Sequence, residues 1–279
     1  MLINLAEILK DTRRRGYAVG LFNCVTLEMT RGILDAAEAL DSPVIIGPAE
    51  SLLPGAPLAD YADMMRGMAA RSRVPVALHF DHGFTPALVR QAVDLGFTSV
   101  MYDGSMLPFD ENVRLTRELC AYAHRSGCSI EAEIGHVGSN GSAEEAINRS
   151  VYTEPDEALR FVQQSGCDAL AVAIGTAHGV YRVAPRLSYD ALRAIDAICE
   201  TPLVLHGGSG LSVAAFQETI RCGISKINIF THNNLTASRA AHAAFSEQTG
   251  AYELMRPVVQ AVQHETMRLI RVFGSEGKA

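Results

Sequence analysis

The sequence predicts a closed (β/α)8 barrel of the TIM type, one domain over residues 1–279 with a helical C-terminal extension. Eight short apolar, β-branched runs recur at fairly regular spacing, and amphipathic helical segments lie between them. Seven of the eight runs finish in a residue able to coordinate, titrate or bind a hydroxyl. Near-continuous apolar strands alternating with helices imply a parallel sheet covered by helices. Eight such units without a linker or composition break favour closure over an open sheet, and 279 residues suit one such barrel.

The chain opens on a short amphipathic helix, in which Glu7 and Lys10 interrupt any signal-peptide core. Arg13, Arg14 and Arg15 follow at its end, where a helix dipole favours cations. The eight strands are expected at residues 18–23, 43–48, 75–81, 99–103, 129–135, 169–175, 202–206 and 226–231. Helical periodicity fills residues 30–39, 87–95, 111–124, 155–164, 189–199 and 213–222. Gly96, Gly127, Gly166 and Gly223 close several of these helices, as left-handed C-caps leading into the next strand. From about residue 237 to 273 the pattern is helical and long enough to cap the barrel.

Composition excludes several function classes. A net charge of −7 argues against a nucleic-acid surface, which needs clustered Lys and Arg. No apolar run approaches the ~20 residues that span a bilayer. The six cysteines form no Cys-x-x-Cys pair and lie in apolar segments, so they read as reduced core thiols of a cytoplasmic protein.

In this architecture the active site occupies the C-terminal face of the strands. The residues there are Asn23, Asp81 with His82, Asp103, Glu133, His178, His206, and Asn228 with Thr231. Three histidines from three strand ends suggest a catalytic zinc with one open coordination position. Asp81 adjoins a ligand, and a carboxylate so placed can exchange a proton with a substrate hydroxyl. Its alternative role is to orient an imidazole. Asp103 and Glu133 are auxiliary metal ligands or structural hydrogen-bond acceptors. His79 lies three positions from His82, so the two should not point the same way along a strand, and His79 reads as packed scaffolding. His124, His242 and His264 sit on helices and read as surface residues.

Gly207, Gly208, Ser209 and Gly210 follow strand 7 and Gly179 follows His178, and glycine lets backbone N–H groups approach a phosphate. The barrel's phosphate site commonly lies after strands 7 and 8, where these loops and Asn228–Thr231 fall. Lysine is scarce: Lys10, Lys226 and Lys278 are all there are. Lys226 is expected to open strand 8 away from the site, which disfavours imine chemistry.

At these residues the chain resembles the class II, zinc-dependent ketose-bisphosphate aldolases of the fructose- and tagatose-bisphosphate type. The match includes Gly16-Tyr17-Ala18-Val19, Phe22-Asn23, residues 42–45, 79–82, 101–105, 131–135, 173–179, 205–210, 226–228 and the tail 273–279. The resemblance implies zinc on His82, His178 and His206, with Asp103 and Glu133 as further metal-site carboxylates. It implies Asp81 as catalytic acid/base. Asn23, Gly179, Gly207, Gly208, Ser209, Asn228, Ile229, Phe230 and Thr231 would bind dihydroxyacetone phosphate, with a monovalent cation (Na+ or K+) close by. It further implies a carbon–carbon lyase of carbohydrate metabolism, acting on a small sugar phosphate as a homodimer or homotetramer.

Several positions depart from the family pattern. Gly83 stands where the tagatose type often has a second His, and Gly47-Pro48-Ala49-Glu50 replaces a small polar loop. Glu144 or Glu145 would supply the mobile-loop acid, and Phe230 and His232 stand where small or acidic residues are usual. These departures surround the end of the substrate away from the phosphate, which leaves the acceptor aldehyde open. Two rival readings are a zinc hydrolase on the same barrel and a catalytically idle sugar-phosphate-binding paralogue. The first usually needs a His-x-His pair on strand 1, which is missing; the second has to explain why Asp81 and all three histidines are kept.

Overall fold

Eight parallel strands close into one barrel in the computed structural model, which describes residues 1–135, 137, 152–179, 181 and 184–279. The strands are β1 (Val19–Asn23), β2 (Val44–Gly47), β3 (Val76–Gly83), β4 (Ser99–Tyr102), β5 (Ser129–Ile134), β6 (Ala169–Val172), β7 (Leu203–Leu205) and β8 (Ile224–Ile229). Each pairs with its sequence neighbour, and β8 closes on β1 through Val19 opposite Lys226. Every strand is buried almost throughout, which is why the runs read as continuously apolar rather than alternating.

Helices α1 (Leu5–Leu9) and α2 (Thr12–Arg15) precede β1. Leu5 and Leu9 pack with Val19, Leu21, Ile45, Ala77, Met101 and Val204, inside the barrel, so α1 plugs its N-terminal mouth. Arg13 donates to the carbonyls of Asp196, Cys199 and Glu200. It therefore serves the C-terminal end of a different helix, α8 (Tyr189–Ile198).

The outer ring comprises α3 (Leu27–Ala39), α4 (Leu58–Ala70), α5 (Pro86–Asp94), α6 (Phe109–His124), α7 (Pro155–Ser165), α8 and α9 (Val213–Arg221). The predicted C-terminal helix divides into α10 (Thr231–Ala244) and α11 (Ala251–Phe273), because Gly250 breaks the run. Phe273 stacks on Phe22 and meets Phe216 edge-on, fastening α11 to the barrel wall. All six cysteines are free and buried. No helix among the described residues is long and apolar enough to cross a membrane.

Lys226 departs from expectation. Strand β8 begins two residues earlier, at Ile224, so Lys226 is mid-strand and fully buried inside the barrel. His178 also differs: β6 ends at Val172, which places this histidine on a loop beyond the strand.

Gly47 shows how tightly the barrel closes near the site, since a Cβ there would lie 1.6 Å from the His79 carbonyl oxygen. Gly47→Ala should therefore destabilise the fold by about 3 kcal/mol or more, because backbone cannot yield as a side chain does. Gly67→Ala, on α4 with only the Arg71 guanidinium at 3.7 Å, should stabilise by about 0.5–1 kcal/mol. Denaturant unfolding of the two variants measures both effects.

Candidate active site

Strand β3 delivers two adjacent functional side chains to one cleft, which a regular strand cannot do. Asp81 faces the barrel interior with His79, and His82 should face away. Two local features redirect it: the β3–β4 register shifts between Phe80 and Gly83, and His82 takes φ +44°. A non-glycine residue in the left-handed region is strained, and such strain persists where surrounding structure enforces it. Gly83 makes the bend possible, since a Cβ there would lie 2.6 Å from the Met101 carbonyl oxygen.

The three predicted histidines converge. Ring centroids lie 4.5 Å apart for His82 and His206, 4.8 Å for His82 and His178, and 5.9 Å for His178 and His206. Ligand atoms of all three fall within 4.8 Å of one another.

Carboxylates set the two nearest rings. His82 Nδ1–H donates to Asp103 Oδ2 at 2.9 Å, and Asp103 Oδ1 accepts from the Ser105 N–H and hydroxyl. His206 Nε2–H donates to Glu131 Oε1 at 2.8 Å. With those protons fixed, His82 Nε2 and His206 Nδ1 face each other across 2.8 Å, a separation that only a shared proton or a metal ion makes favourable. Two facing lone pairs repel unless a positive charge lies between them. Nearby, His178 Nε2 is buried without a hydrogen-bond partner among the described residues. The donor set of three imidazoles, two oriented by carboxylates, fits a divalent metal of the zinc type.

Electrostatics agree with a cation here. Burial opposes protonation of His82, but Asp81, Asp103 and Glu133 outweigh it and push the ring to about 9. Burial together with the neighbouring His82 holds His178 down to about 3. Glu133 is brought together with His82 and Asp103, and burial followed by repulsion from Asp103 raises its carboxyl well above the usual range.

Asp81 is gripped at both oxygens. Asn228 Nδ2 donates to Oδ1 at 2.9 Å from β8, and Asn23 Nδ2 donates to Oδ2 at 3.1 Å from β1. Burial would raise this carboxyl, yet His82 and Lys226 hold it below the ordinary carboxylate range. His79 is fully buried against Ser99, 2.8 Å from Nδ1, as scaffolding.

The cleft above these residues encloses about 340 Å³. Asn23, Asp81, His82, Asp103, Glu133, His178, Gly179, Gly207, Ser209, Asn228, Phe230 and Thr231 all line it. Ile229 does not: its side chain packs in the core outside the barrel. Gly208 lies beneath, where a Cβ would meet the Asn228 carbonyl oxygen at 3.0 Å. His232 pairs with Glu265 on α11. Glu50 accepts from the N–H groups of Phe84 and Thr85 and from the Thr85 hydroxyl, tying the β2 loop to the β3 loop. Glu144 and Glu145 lie outside the described residues.

Sequence reasoning missed two contributors. Glu131 was passed over beside Glu133, and Tyr181 joins the two histidine loops by accepting from Ala177 N–H and donating to the Gly207 carbonyl, both at 2.8 Å. A charged residue in a fully buried strand is the signal that could have found Glu131; Tyr181 carries none.

Comparison with known proteins agrees with this geometry. A family model described as fructose-bisphosphate aldolase class-II matches residues 3–278. The chain is 39% identical over the whole of both sequences to the protein YdjI of Escherichia coli K12. It is 38% identical to a fructose-bisphosphate aldolase of Geobacillus stearothermophilus, covering 100% of this chain and 99% of the relative. It is 37% identical to a 6-phospho-5-dehydro-2-deoxy-D-gluconate aldolase of Bacillus licheniformis, covering 99% and 96%. The crystal structure of the YdjI aldolase matches with TM-score 0.91 at 37% identity, covering all of both chains.

Removing the carboxylate behind His82 tests the site's geometry. Asp103→Ala should weaken divalent-metal binding about 10–100-fold, as loss of an imidazole's orienting partner does at a metal site, and chelator competition measures it.

Proposed function

Because the chain belongs to the class II fructose-bisphosphate aldolase family, we propose that it cleaves a phosphorylated ketose reversibly to dihydroxyacetone phosphate and an aldehyde, with zinc as its metal. The observation that carries the reading is the convergence of three imidazoles beside Asp81, with two of the rings facing nitrogen to nitrogen across 2.8 Å. His82 Nε2, His206 Nδ1 and His178 would hold the zinc, while Asp103 and Glu133 form a second cluster with His82. When bound, the metal polarises substrate oxygens and stabilises the negative charge that develops on them.

The phosphate is assigned to the β7–β8 side. Gly179, Gly207, Ser209, Asn228, Phe230 and Thr231 line it, and α10 begins there, where the N-terminal N–H groups of a helix favour an anion. Gly207 has φ +66°, and a Cβ would lie 2.6 Å from the Ala177 carbonyl oxygen, so only glycine brings the backbone this close. Among the described residues no Lys or Arg lines the cleft, which favours a monovalent cation accompanying the phosphate.

Asp81 is assigned the proton. Its carboxylate accepts the proton of the C4 hydroxyl as the C3–C4 bond breaks. The bonding electron pair stays on the dihydroxyacetone phosphate fragment as an enediolate, and C4 leaves as the aldehyde carbon. In condensation Asp81 returns that proton to the new alkoxide. Asn23 and Asn228 keep both carboxylate oxygens in place for the transfer.

Relatives named for two different substrates are nearly equally similar, so identity alone selects no ketose. Ala49, Leu52, Phe84, Met106 and Val137 also line the cleft, with Ser51 and Ser105 among them. That mostly apolar, uncharged lining favours an acceptor aldehyde without a second phosphate. A cytoplasmic setting suits six free thiols, and a homodimer or homotetramer is the expected assembly.

Asp81→Ala should retain zinc while kcat falls about 10²–10⁴-fold, the usual contribution of a positioned acid/base; near-normal turnover would remove Asp81 from the reaction. A panel of ketose mono- and bisphosphates, assayed for dihydroxyacetone phosphate, tests the substrate reading. Release should be abolished by EDTA and should not require the second phosphate. Full activity in EDTA, or activity on bisphosphates alone, contradicts it.

A further inference from the structure

Beneath the histidines lies a buried ion pair that does not line the cleft. Lys226 Nζ is 2.7 Å from Glu131 Oε2, and neither side chain has any exposure. The other oxygen, Oε1, accepts from His206 Nε2–H. Lysine, carboxylate and imidazole thus form one line, running from the barrel interior to the site. Lys226 does not line the cleft, and Glu131 is its anionic partner among the described residues.

We propose that Lys226 is a positioning residue for metal binding: by pinning Glu131 Oε2, it reserves Oε1 for His206 and so fixes which imidazole nitrogen faces the metal. The assignment rests on the zinc reading of the three histidines. Its physical basis is the competition inside the barrel for the Glu131 carboxylate. His79 Nε2 lies 3.9 Å from Oε2, buried and without a hydrogen-bond partner among the described residues. Without the ammonium, a buried charge is left uncompensated, and the carboxylate is free to turn toward His79. His206 Nε2–H then loses its acceptor. The ring is no longer held with Nδ1 toward His82, and the facing pair of nitrogens is lost.

Neutralising the acceptor removes the need for the cation. A glutamine at position 131 still offers a carbonyl oxygen to His206 Nε2–H, but it carries no charge for Lys226 to balance. A merely space-filling role for Lys226 would gain nothing from that second change.

Zinc affinity by chelator competition and the visible absorption of the cobalt(II)-loaded protein read the effect without any turnover assay. Wild-type protein should bind one zinc through the histidines; failure there, confirmed by an unchanged affinity in His206→Ala, defeats the underlying zinc reading rather than this one. Lys226→Met should weaken zinc binding about 10–100-fold and alter the cobalt spectrum. Lys226→Met with Glu131→Gln should recover most of the affinity and the wild-type spectrum, and it decides the matter if the single variant fails to fold. The proposal is overturned if Lys226→Met binds zinc as tightly as wild type. It is equally overturned if the double variant fails to fold or binds zinc at least tenfold more weakly than wild type.

Discussion

Two imidazole nitrogens held face to face 2.8 Å apart are the constraint on which the site depends. Neither ring is free to relieve the repulsion by changing tautomer. Asp103 fixes the proton of His82 on Nδ1, and Glu131 fixes that of His206 on Nε2. The protein therefore stores its demand for a cation in hydrogen bonds one layer away from the ligand atoms. This arrangement also explains the strained backbone at His82: only a left-handed residue at the end of β3 turns that ring toward a partner delivered by β7.

The barrel's closure makes such an arrangement affordable in a small volume. Parallel strands bring side chains from β1, β3, β4, β5, β7 and β8 to one rim, and each strand contributes one or two polar groups. Asp81 illustrates the economy. Amides from β1 and β8 hold its two oxygens, while the cations and rings around it outweigh the cost of burying its charge.

Much of this was legible in the sequence, because strand ends in a parallel barrel are short apolar runs stopped by a polar residue. Asn23, Asp81, Asp103, Glu133 and His206 were found by that rule; the first four line one cleft, and His206 is buried beside it against His82. The rule fails where the chain leaves the strand. His178 sits six residues past the end of β6, and only the loop fastened by Tyr181 returns it to the site. Strand periodicity alone would turn His82 away from Asp81, since a bulge and a positive φ leave no trace in residue type. Glu131 and Lys226 were visible as single charges within the buried strands Ser129–Ile134 and Ile224–Ile229. Their meaning was not, because pairing across the barrel depends on register and closure that no local pattern encodes.

The relatives sharpen the chemistry without fixing the sugar. Everything upstream of the choice of sugar rests on where the metal sits. Anomalous diffraction at the zinc edge from zinc-loaded crystals tests this most directly. One strong peak is expected, bounded by His82 Nε2, His206 Nδ1 and the His178 ring, with Asp103 and Glu131 still bonded to the far nitrogens of their histidines. A peak in the neighbouring group of His79, Asp81 and Glu131, or rings turned so that the carboxylate bonds are broken, would contradict it.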